Sequence, residues 1–154
     1  MNPVLIKKAR INDLPRIKYI TRLAYQVPYK GKTVITKPHE SKNLKPDFQD
    51  KKFFALVAIF NSKIIGAVRY QIKNKNLYFF KLAVLKTFRQ KGIGSLLIKR
   101  LEKIAQKKGC RKITLSCVQE KQLPQYYKKL GYKISTIKKH HQHHDVYMFK
   151  LMQN

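Results

Sequence analysis

The segment KLAVLKTFRQKGIGSLLIKRLEKIA, residues 81–105, constrains the fold more than any other part of the chain. An apolar run typical of a strand leads through a basic turn with two glycines into an amphipathic helix, whose apolar positions are Ile93, Leu97, Leu101 and Ile104. The first turn of a helix has unpaired N–H groups and partial positive charge, and glycine lets a phosphate approach the backbone. The segment therefore predicts a strand–turn–helix unit suited to a pyrophosphate, with a turn that binds no ligand as the alternative.

The remaining patterns predict a mixed α/β fold in one domain, residues 1–154. PVLIKKAR is typical of a strand, NDLPRIKYITRLAY of a helix capped by Asn12, and residues 28–52 of a long loop with room for one short helix. Later strands are predicted at FFALVAIF, KIIGAVRYQI, LYFFKLAVL, CRKITLSCV, YKISTI and VYMFKLM, with a short helix at LPQYYKKLG. The expected sheet is partly antiparallel, has six to seven strands and is flanked by about four helices.

The charge of the chain is far from balanced, with 35 Lys and Arg against 7 Asp and Glu, a formal net charge of +28. A surface of this kind attracts anions at long range. A polyanion such as RNA, or an acidic protein, is therefore a candidate partner. Because the lysines are scattered through every segment, solvated charges without a partner remain the alternative.

The apolar and cysteine patterns favour a reduced, cytoplasmic protein. The longest apolar run, residues 53–60, is much shorter than the ~20 residues of a membrane span, and the first ten residues do not resemble a signal peptide. Cys110 and Cys117 are predicted to share one strand, where about 3.3 Å per residue holds them beyond disulfide reach. We expect a monomer or a homodimer.

A second motif lies downstream of the glycine turn. Arg-x-x-Gly-x-Gly at residues 89–94 and YYKKLGY at residues 126–132, with a strand between them, resemble the GNAT superfamily of N-acetyltransferases. The resemblance covers nearly the whole chain, since LIKKARINDLPRI is similar to the first strand and helix of that family. It implies a GNAT-like fold, acetyl-CoA as cosubstrate, no metal, and direct attack of an acceptor amine on the thioester.

The resemblance also implies roles for individual residues. Backbone N–H groups of the turn and helix start would bind the pyrophosphate of coenzyme A, at Arg89, Gln90, Lys91, Gly92, Ile93, Gly94 and Ser95. The preceding strand would be bulged, would splay from its neighbour and would pair with the pantetheine arm at Leu82, Ala83 and Val84. A backbone N–H there would polarise the thioester carbonyl. Tyr127 would protonate the leaving thiolate, and Tyr126 is assigned to the core.

The chain departs from the family pattern at two positions. Glu120 replaces a cofactor-contacting asparagine seven residues before the tyrosine, and LYFFKLAV lacks the carboxylate that often serves as general base. The base is therefore unassigned among a water chain, Glu120 and a loop histidine. These departures leave open a catalytically weak binding module on RNA, ribosome or an acidic protein, and a non-enzymatic acyl-CoA sensor.

Two further groups of polar residues have a simple structural interpretation. The histidines of HHQHH, His140, His141, His143 and His144, are predicted to lie in an exposed hairpin loop without metal, with a place at the acceptor entrance as the alternative. Glu40, Asp47 and Asp50 in the long loop are expected to be solvated, although they could attract a cationic amine. Cys117 is expected to be a buried strand residue. No motif identifies the acceptor.

Overall fold

In the computed structural model, residues 2–25, 28–29, 32–33, 42–119, 123–140 and 143–153 are described. Four α-helices lie among them: α1 Leu14–Tyr25, α2 Leu44–Gln49, α3 Ile93–Lys107 and α4 Leu123–Lys129. The strands are β1 Leu5–Lys8, β2 Pro28–Tyr29, β3 Lys32–Thr33, β4 Phe54–Phe60, β5 Lys63–Lys73, β6 Asn76–Val84, β7 Lys112–Val118, β8 Lys133–His140 and β9 His143–Leu151. This order confirms the mixed α/β prediction, including a short helix within residues 28–52.

Seven strands form the main sheet, in the order β1-β4-β5-β6-β7-β9-β8, and β2 and β3 form a separate pair. β6 and β7 run parallel, whereas β1 with β4, β4 with β5, β7 with β9 and β8 with β9 are antiparallel. The parallel pair requires a crossover, which α3 provides. None of the helices in these ranges is long and apolar enough to cross a membrane.

Tight turns join β4 to β5 and β5 to β6. Asn61 and Ser62 connect β4 to β5 with φ of 49° and 64°, and Asn74 and Lys75 connect β5 to β6 with φ of 52° and 58°. Two consecutive left-handed residues are typical of the type I′ turn, whose twist matches that of the strands it joins. Asparagine tolerates this conformation better than most residues, which explains its place at both turns.

The start of α1 differs from the prediction. A 3₁₀ turn, Ile11–Asp13, precedes the helix, and Asn12 lies within that turn rather than capping it. The Arg10 backbone N–H donates to the Asp13 carboxylate at 2.7 Å, so the acidic side chain satisfies the backbone N–H of the residue that caps the turn. Asn12 was the wrong cap because the aspartate one residue later reaches back to Arg10.

Two compact units make up the chain, and each has its own core. The first contains residues 1–71 and 81–100, and its core side chains include Ile17, Ile20, Leu56, Ile65, Val68, Leu97 and Ile98. The second contains residues 72–80 and 101–154, and its core includes Leu77, Phe79, Leu101, Ile113, Leu115, Tyr132 and Met148.

Glycines follow the ends of both α3 and α4. Gly109 and Gly131 have φ of +70° and +95°. After α3, Cys110 N–H bonds the Ala105 carbonyl at 2.8 Å, and after α4, Tyr132 N–H bonds the Tyr127 carbonyl at 3.1 Å. These bonds close the helix ends in the Schellman pattern, which requires the left-handed residue that glycine supplies.

The segment KKHHQHHD contains the predicted hairpin loop HHQHH, but it is mostly strand. β8 continues to His140 and β9 begins at His143, and the register pairs Lys138 with Asp145 and Lys139 with His144. Ladder hydrogen bonds to β9 override the low strand propensity of charged residues here. His141 lies outside the described residues.

Candidate functional site

The glycine turn follows the end of β6 directly. A 3₁₀ turn, Lys86–Phe88, leads to Arg89, and α3 begins at Ile93. Gln90 and Gly92 both have left-handed backbones, with φ of 61° and 79°. The Leu96 N–H makes an intrahelical bond to the Gly92 carbonyl at 3.0 Å, which places Gly92 at the helix start. The predicted strand–turn–helix unit is therefore present.

Side chains and backbone groups of the first unit fix the shape of this turn. Arg89 Nε donates to the Val84 carbonyl at 3.0 Å, which ties the turn to the end of β6. The Leu85 N–H bonds the Ile65 carbonyl of β5 at 2.9 Å. Phe88 packs against Phe60, with ring centroids 5.6 Å apart. The turn is thus attached to the sheet at both its backbone and its side chains.

Gly66 on β5 is a residue of this region that the sequence analysis missed. A Cβ at this position would lie 3.2 Å from the Ala83 carbonyl oxygen, 3.4 Å from Val84 Cγ2 and 3.5 Å from Ile93 Cγ2. Glycine therefore lets the end of β6 and the start of α3 approach β5 closely. An isolated glycine inside the strand KIIGAVRYQI is the sequence signal that could have indicated it.

β6 has the irregular backbone that the family resemblance implied. Lys81 has φ of +53° in the middle of the strand, a left-handed conformation typical of a bulge. The register of β6 with β7 runs from Asn76 to Tyr78. After the bulge, Ala83 is buried, and Leu82 and Val84 are half-buried.

Positive charge dominates the surroundings of the turn. The chain has no Asp or Glu between Asp50 and Glu102, whereas Lys86, Arg89 and Lys91 lie in or beside the turn. Lys91 Nζ lies 5.7 Å from the centre of the Phe88 ring. At Gly92 an added Cβ would meet no atom within 4 Å, so the backbone there is open to a ligand. An exposed turn with these charges and with helix-start N–H groups can hold phosphates.

Tyr127 lies on α4 in the second unit and is only 6% exposed. Its ring lies 5.2 Å from Tyr126, 6.1 Å from Phe79 and 6.2 Å from Tyr132. Tyr126 is half-buried. The assignment of Tyr126 to the core was wrong, because the Schellman turn after α4 places Tyr127 against Tyr132 instead. The catalytic role of Tyr127 remains a prediction.

A polar cluster beside this aromatic group was not found from the sequence. The Tyr132 hydroxyl donates to Glu102 Oε1 at 3.3 Å, and Lys150 Nζ donates to the same oxygen at 3.1 Å and to the Leu130 carbonyl at 3.0 Å. Burial, and then the charge and hydrogen bond of Glu102, raise the pKa of Tyr132 well above its ordinary value. Tyr132 therefore stays protonated and acts as a hydrogen-bond donor that anchors the end of α4.

We expect Tyr132→Phe to lower the free energy of unfolding by about 1–2 kcal/mol, because Glu102 loses one partly buried donor. Urea unfolding followed by circular dichroism measures the change. Tyr19→Phe, the same substitution at a tyrosine that is 41% exposed, should change stability by less than about 0.5 kcal/mol. Equal effects at the two positions would contradict a stabilising role for the Glu102 bond.

Both cysteines are buried and free of disulfides, as expected. Cys117 lies in β7, but Cys110 lies two residues before the start of that strand. The prediction that both cysteines share one strand was therefore wrong. Gly109 ends α3 and leaves Cys110 in the connection. Burial, and then the charge of Asp145, raise the pKa of Cys117 to about 11, so its thiol is neutral at pH 7.

Thiol labelling provides a direct check on this environment. Because a thiolate is the reactive form, native protein at pH 8 should react with iodoacetamide far more slowly than a free cysteine does. Both thiols should react fully once urea unfolds the chain. Rapid single labelling of native protein at Cys117, located by mass spectrometry, would show that the strand does not bury this thiol.

Three remaining predictions concern other polar residues. Glu120 and Glu40 lie outside the described residues. His143 Nε2 lies 3.3 Å from Asp145 Oδ1. Within the residues that the structure describes, no three His, Cys, Asp or Glu side chains are grouped to hold a metal ion. Asp47 is partly exposed and lies 3.2 Å from Lys52 Nζ.

The model of the acetyltransferase (GNAT) family matches residues 15–132. One curated relative, N-alpha-acetyltransferase 60 of Xenopus tropicalis, is 33% identical over 34% of this chain and 30% of its own length. The match thus spans less than a third of that relative.

Solved structures match along almost the whole chain. The ribosomal-protein-S18-alanine N-acetyltransferase of Escherichia coli superposes with a TM-score of 0.79 at 17% identity, covering 99% of this chain and 96% of that one. The PaiA N-acetyltransferase of Thermoplasma acidophilum, solved in complex with coenzyme A, superposes with a TM-score of 0.74 at 21% identity, covering 97% and 99%. At these identities the likeness establishes the fold.

Proposed function

The chain belongs to the GNAT family of acetyltransferases, and we propose that it transfers an acetyl group from acetyl-CoA to a primary amine by direct attack on the thioester. The observation that carries this proposal is the turn between β6 and α3. It combines left-handed Gly92, an open space above that residue and a helix start in a part of the chain without carboxylates. The residues present therefore fit a pyrophosphate.

Within the turn, the residues divide into two roles. Gln90, Lys91, Gly92, Ile93, Gly94 and Ser95 would bind the pyrophosphate with backbone N–H groups, and the charge of Lys91 would add to the attraction. Arg89 instead donates to the Val84 carbonyl, so its side chain positions the turn. The irregular strand before the turn supports the proposed pairing of residues 82–84 with the pantetheine arm, because the left-handed Lys81 interrupts the regular ladder geometry just ahead of them.

The chemistry requires three proton movements. The acceptor arrives as an ammonium and must lose one proton to the base before its nitrogen attacks the acetyl carbonyl; the C–N bond then forms as the C–S bond breaks, and the nitrogen loses its second proton as the neutral amide forms. The thiolate that leaves takes a proton, which we assign to the hydroxyl of Tyr127, and the second proton of the nitrogen returns through solvent to restore that hydroxyl. Packing against Phe79, Tyr126 and Tyr132 fixes the ring of Tyr127, which limits the orientations its hydroxyl can take. A water chain, Glu120 or a histidine would serve as the base.

The similar proteins suggest which acceptors to test first. Two of them carry names that specify the position acetylated, the alanine of ribosomal protein S18 in one and an N-alpha position in the other. A protein N-terminal amine is therefore our first acceptor class, and small-molecule amines are the second. The two unpaired, buried cysteines support a reducing, cytoplasmic setting for this activity.

Mass spectrometry of reactions with acetyl-CoA tests the proposal. The acceptors would be a panel of peptides with different N-terminal residues, together with small polyamines. Addition of one acetyl group to at least one acceptor class, faster than without protein, is the expected result. If calorimetry shows that acetyl-CoA binds but no amine in the panel is acetylated, the acyl-CoA sensor becomes the better interpretation.

A further inference from the structure

One face of the sheet in the second unit carries a row of aromatic side chains that the proposed transferase chemistry does not use. The strand registers place Tyr78, Thr114, Phe149 and Lys133 side by side across β6, β7, β9 and β8. The next row contains Ser116, Tyr147 and Thr136, and Phe80 follows Tyr78 by two residues on the same face. We call the surface formed by Tyr78, Phe80, Tyr147, Phe149, Lys133 and Lys138 the aromatic face.

The two faces of this sheet differ sharply in burial. On the opposite face, Leu77, Phe79, Leu115 and Met148 are at most 2% exposed. The four rings of the aromatic face are half-buried, and Ser116, Lys133, Thr136 and Lys138 are exposed. Large rings on a solvent-accessible face are unusual, since most aromatic side chains bury their surface in a core.

Contacts between these side chains arrange the rings as flat surfaces. Tyr78 and Phe80 stack with centroids 5.5 Å apart and planes 15° apart. The Tyr78 hydroxyl lies 3.5 Å from Ser116 Oγ. Lys138 Nζ lies 5.3 Å from the centre of the Tyr147 ring. The rings are therefore held by neighbours on the same face, not pointed freely into solvent.

The charge of this face is positive. Lys133 and Lys138 lie on β8, at the edge of the sheet, and Lys112 lies at the start of β7. Asp145, paired with Lys138 in the register, is an acidic side chain on the same face, and its Oδ1 lies 3.3 Å from His143 Nε2. The net charge of +28 adds a long-range attraction for anions.

We propose that the aromatic face binds single-stranded RNA, with bases stacked on the rings and phosphates beside Lys133 and Lys138. Nucleobases have a flat π-face at each position and a negative charge at each linkage, so a single strand complements both the rings and the lysines. In a duplex the bases are already stacked and cannot reach the rings. A second copy of this chain would bring another charge of +28 to the same face, which opposes pairing.

Fluorescence anisotropy with a labelled uridine-rich RNA of about twelve nucleotides, at ~50 mM salt, tests this binding. Tyr78→Leu with Tyr147→Leu keeps apolar bulk and removes two π-faces. We expect the dissociation constant to rise about tenfold or more, because each stacked base contributes appreciably to affinity. Lys133→Gln with Lys138→Gln should lower the slope of log affinity against log salt by about 1.4, two phosphate contacts on a single strand.

Matched controls separate this face from general charge attraction. Lys103→Gln with Lys107→Gln on α3 removes the same amount of charge away from the aromatic face. Their neighbour Glu102 bonds Tyr132, whose ring packs against Phe79 on the opposite, buried face of the sheet. This control pair should leave the salt slope nearly unchanged. Photo-crosslinking of the unmodified protein to the RNA, mapped by mass spectrometry, should locate adducts on β6 and β9 even if the leucine variants fail to fold.

Four outcomes would overturn the proposal. The first is unchanged affinity in a folded Tyr78→Leu, Tyr147→Leu variant, and the second is an equal loss of salt slope in the control lysine pair. The third is equal affinity for duplex RNA or for an acidic peptide, which would indicate binding by charge alone. The fourth is a dimer in sedimentation experiments that the leucine variant disperses, which would assign the face to a second copy of the chain.

Discussion

Replacing Tyr127 with phenylalanine is expected to lower the turnover number about 100-fold while leaving the affinity for acetyl-CoA and the melting temperature nearly unchanged. Loss of a general acid typically lowers the rate 10²- to 10⁴-fold. We expect the lower end of that range because solvent can also protonate a thiolate. The ring contacts with Phe79, Tyr126 and Tyr132 involve the aromatic faces and edges, which phenylalanine retains. Steady-state kinetics with an identified acceptor measures the effect.

Two neighbouring tyrosines provide the controls for this experiment. Tyr126→Phe removes a hydroxyl from the preceding residue of the same helix and should change the turnover number less than about threefold. Tyr132→Phe should lower stability through Glu102 without a comparable loss of rate. If Tyr127→Phe turns over at the parental rate, another donor protonates the thiolate and the assignment fails.

Elements whose signals are local can be predicted from the sequence. Three kinds of signal act within a few residues: asparagine at the β4–β5 and β5–β6 turns, glycine after α3 and α4, and the spacing of Ile93, Leu97 and Leu101. Such signals depend on backbone conformations that few residue types adopt, so one sequence is enough to identify them. The turn between β6 and α3 belongs to this class, because Gly92 marks its left-handed position.

Features that depend on distant partners could not be predicted. Tyr126 and Tyr127 are chemically identical neighbours, and only the return of the chain to Tyr132 decides which one is buried. KKHHQHHD has a composition typical of a loop, yet pairing between β8 and β9 extends strand into it. Arg69, 2% exposed with Nη2 3.5 Å from Thr21 Oγ1, is buried by α1, which lies about fifty residues earlier.

The same distinction applies to the candidate site. The glycine turn can be located from residues 89–94 alone, whereas Gly66 becomes relevant only because β5 lies against Ala83 and Ile93. The aromatic face likewise requires the register of four strands, which brings Tyr78 and Tyr147 together from positions about seventy residues apart. Alternation along one strand indicates a face, but it does not indicate which other strands share it.

Substituting valine at Gly92 is expected to weaken acetyl-CoA binding by about 10- to 100-fold, the equivalent of one lost charge-assisted hydrogen bond. A Cβ at Gly92 meets no protein atom within 4 Å, but the residue has φ of +79°, which a β-branched side chain adopts only with strain. The turn would relax to another conformation, and the backbone N–H groups proposed to bind the pyrophosphate would move with it. Isothermal titration calorimetry measures the affinity.

Gly109→Val is the matched control for backbone strain, because Gly109 also has a left-handed φ, +70°, and open space around its Cβ. Both variants should lose about 1–3 kcal/mol of stability, but Gly109 lies at the other end of α3 and its substitution should leave affinity unchanged. Gly94→Val adds a side chain inside the first helical turn without a left-handed residue, so its loss of affinity would come from obstruction of the phosphate. Unchanged affinity in both Gly92→Val and Gly94→Val would remove the turn from the acetyl-CoA site. Equal weakening by Gly109→Val would attribute the effect to stability alone.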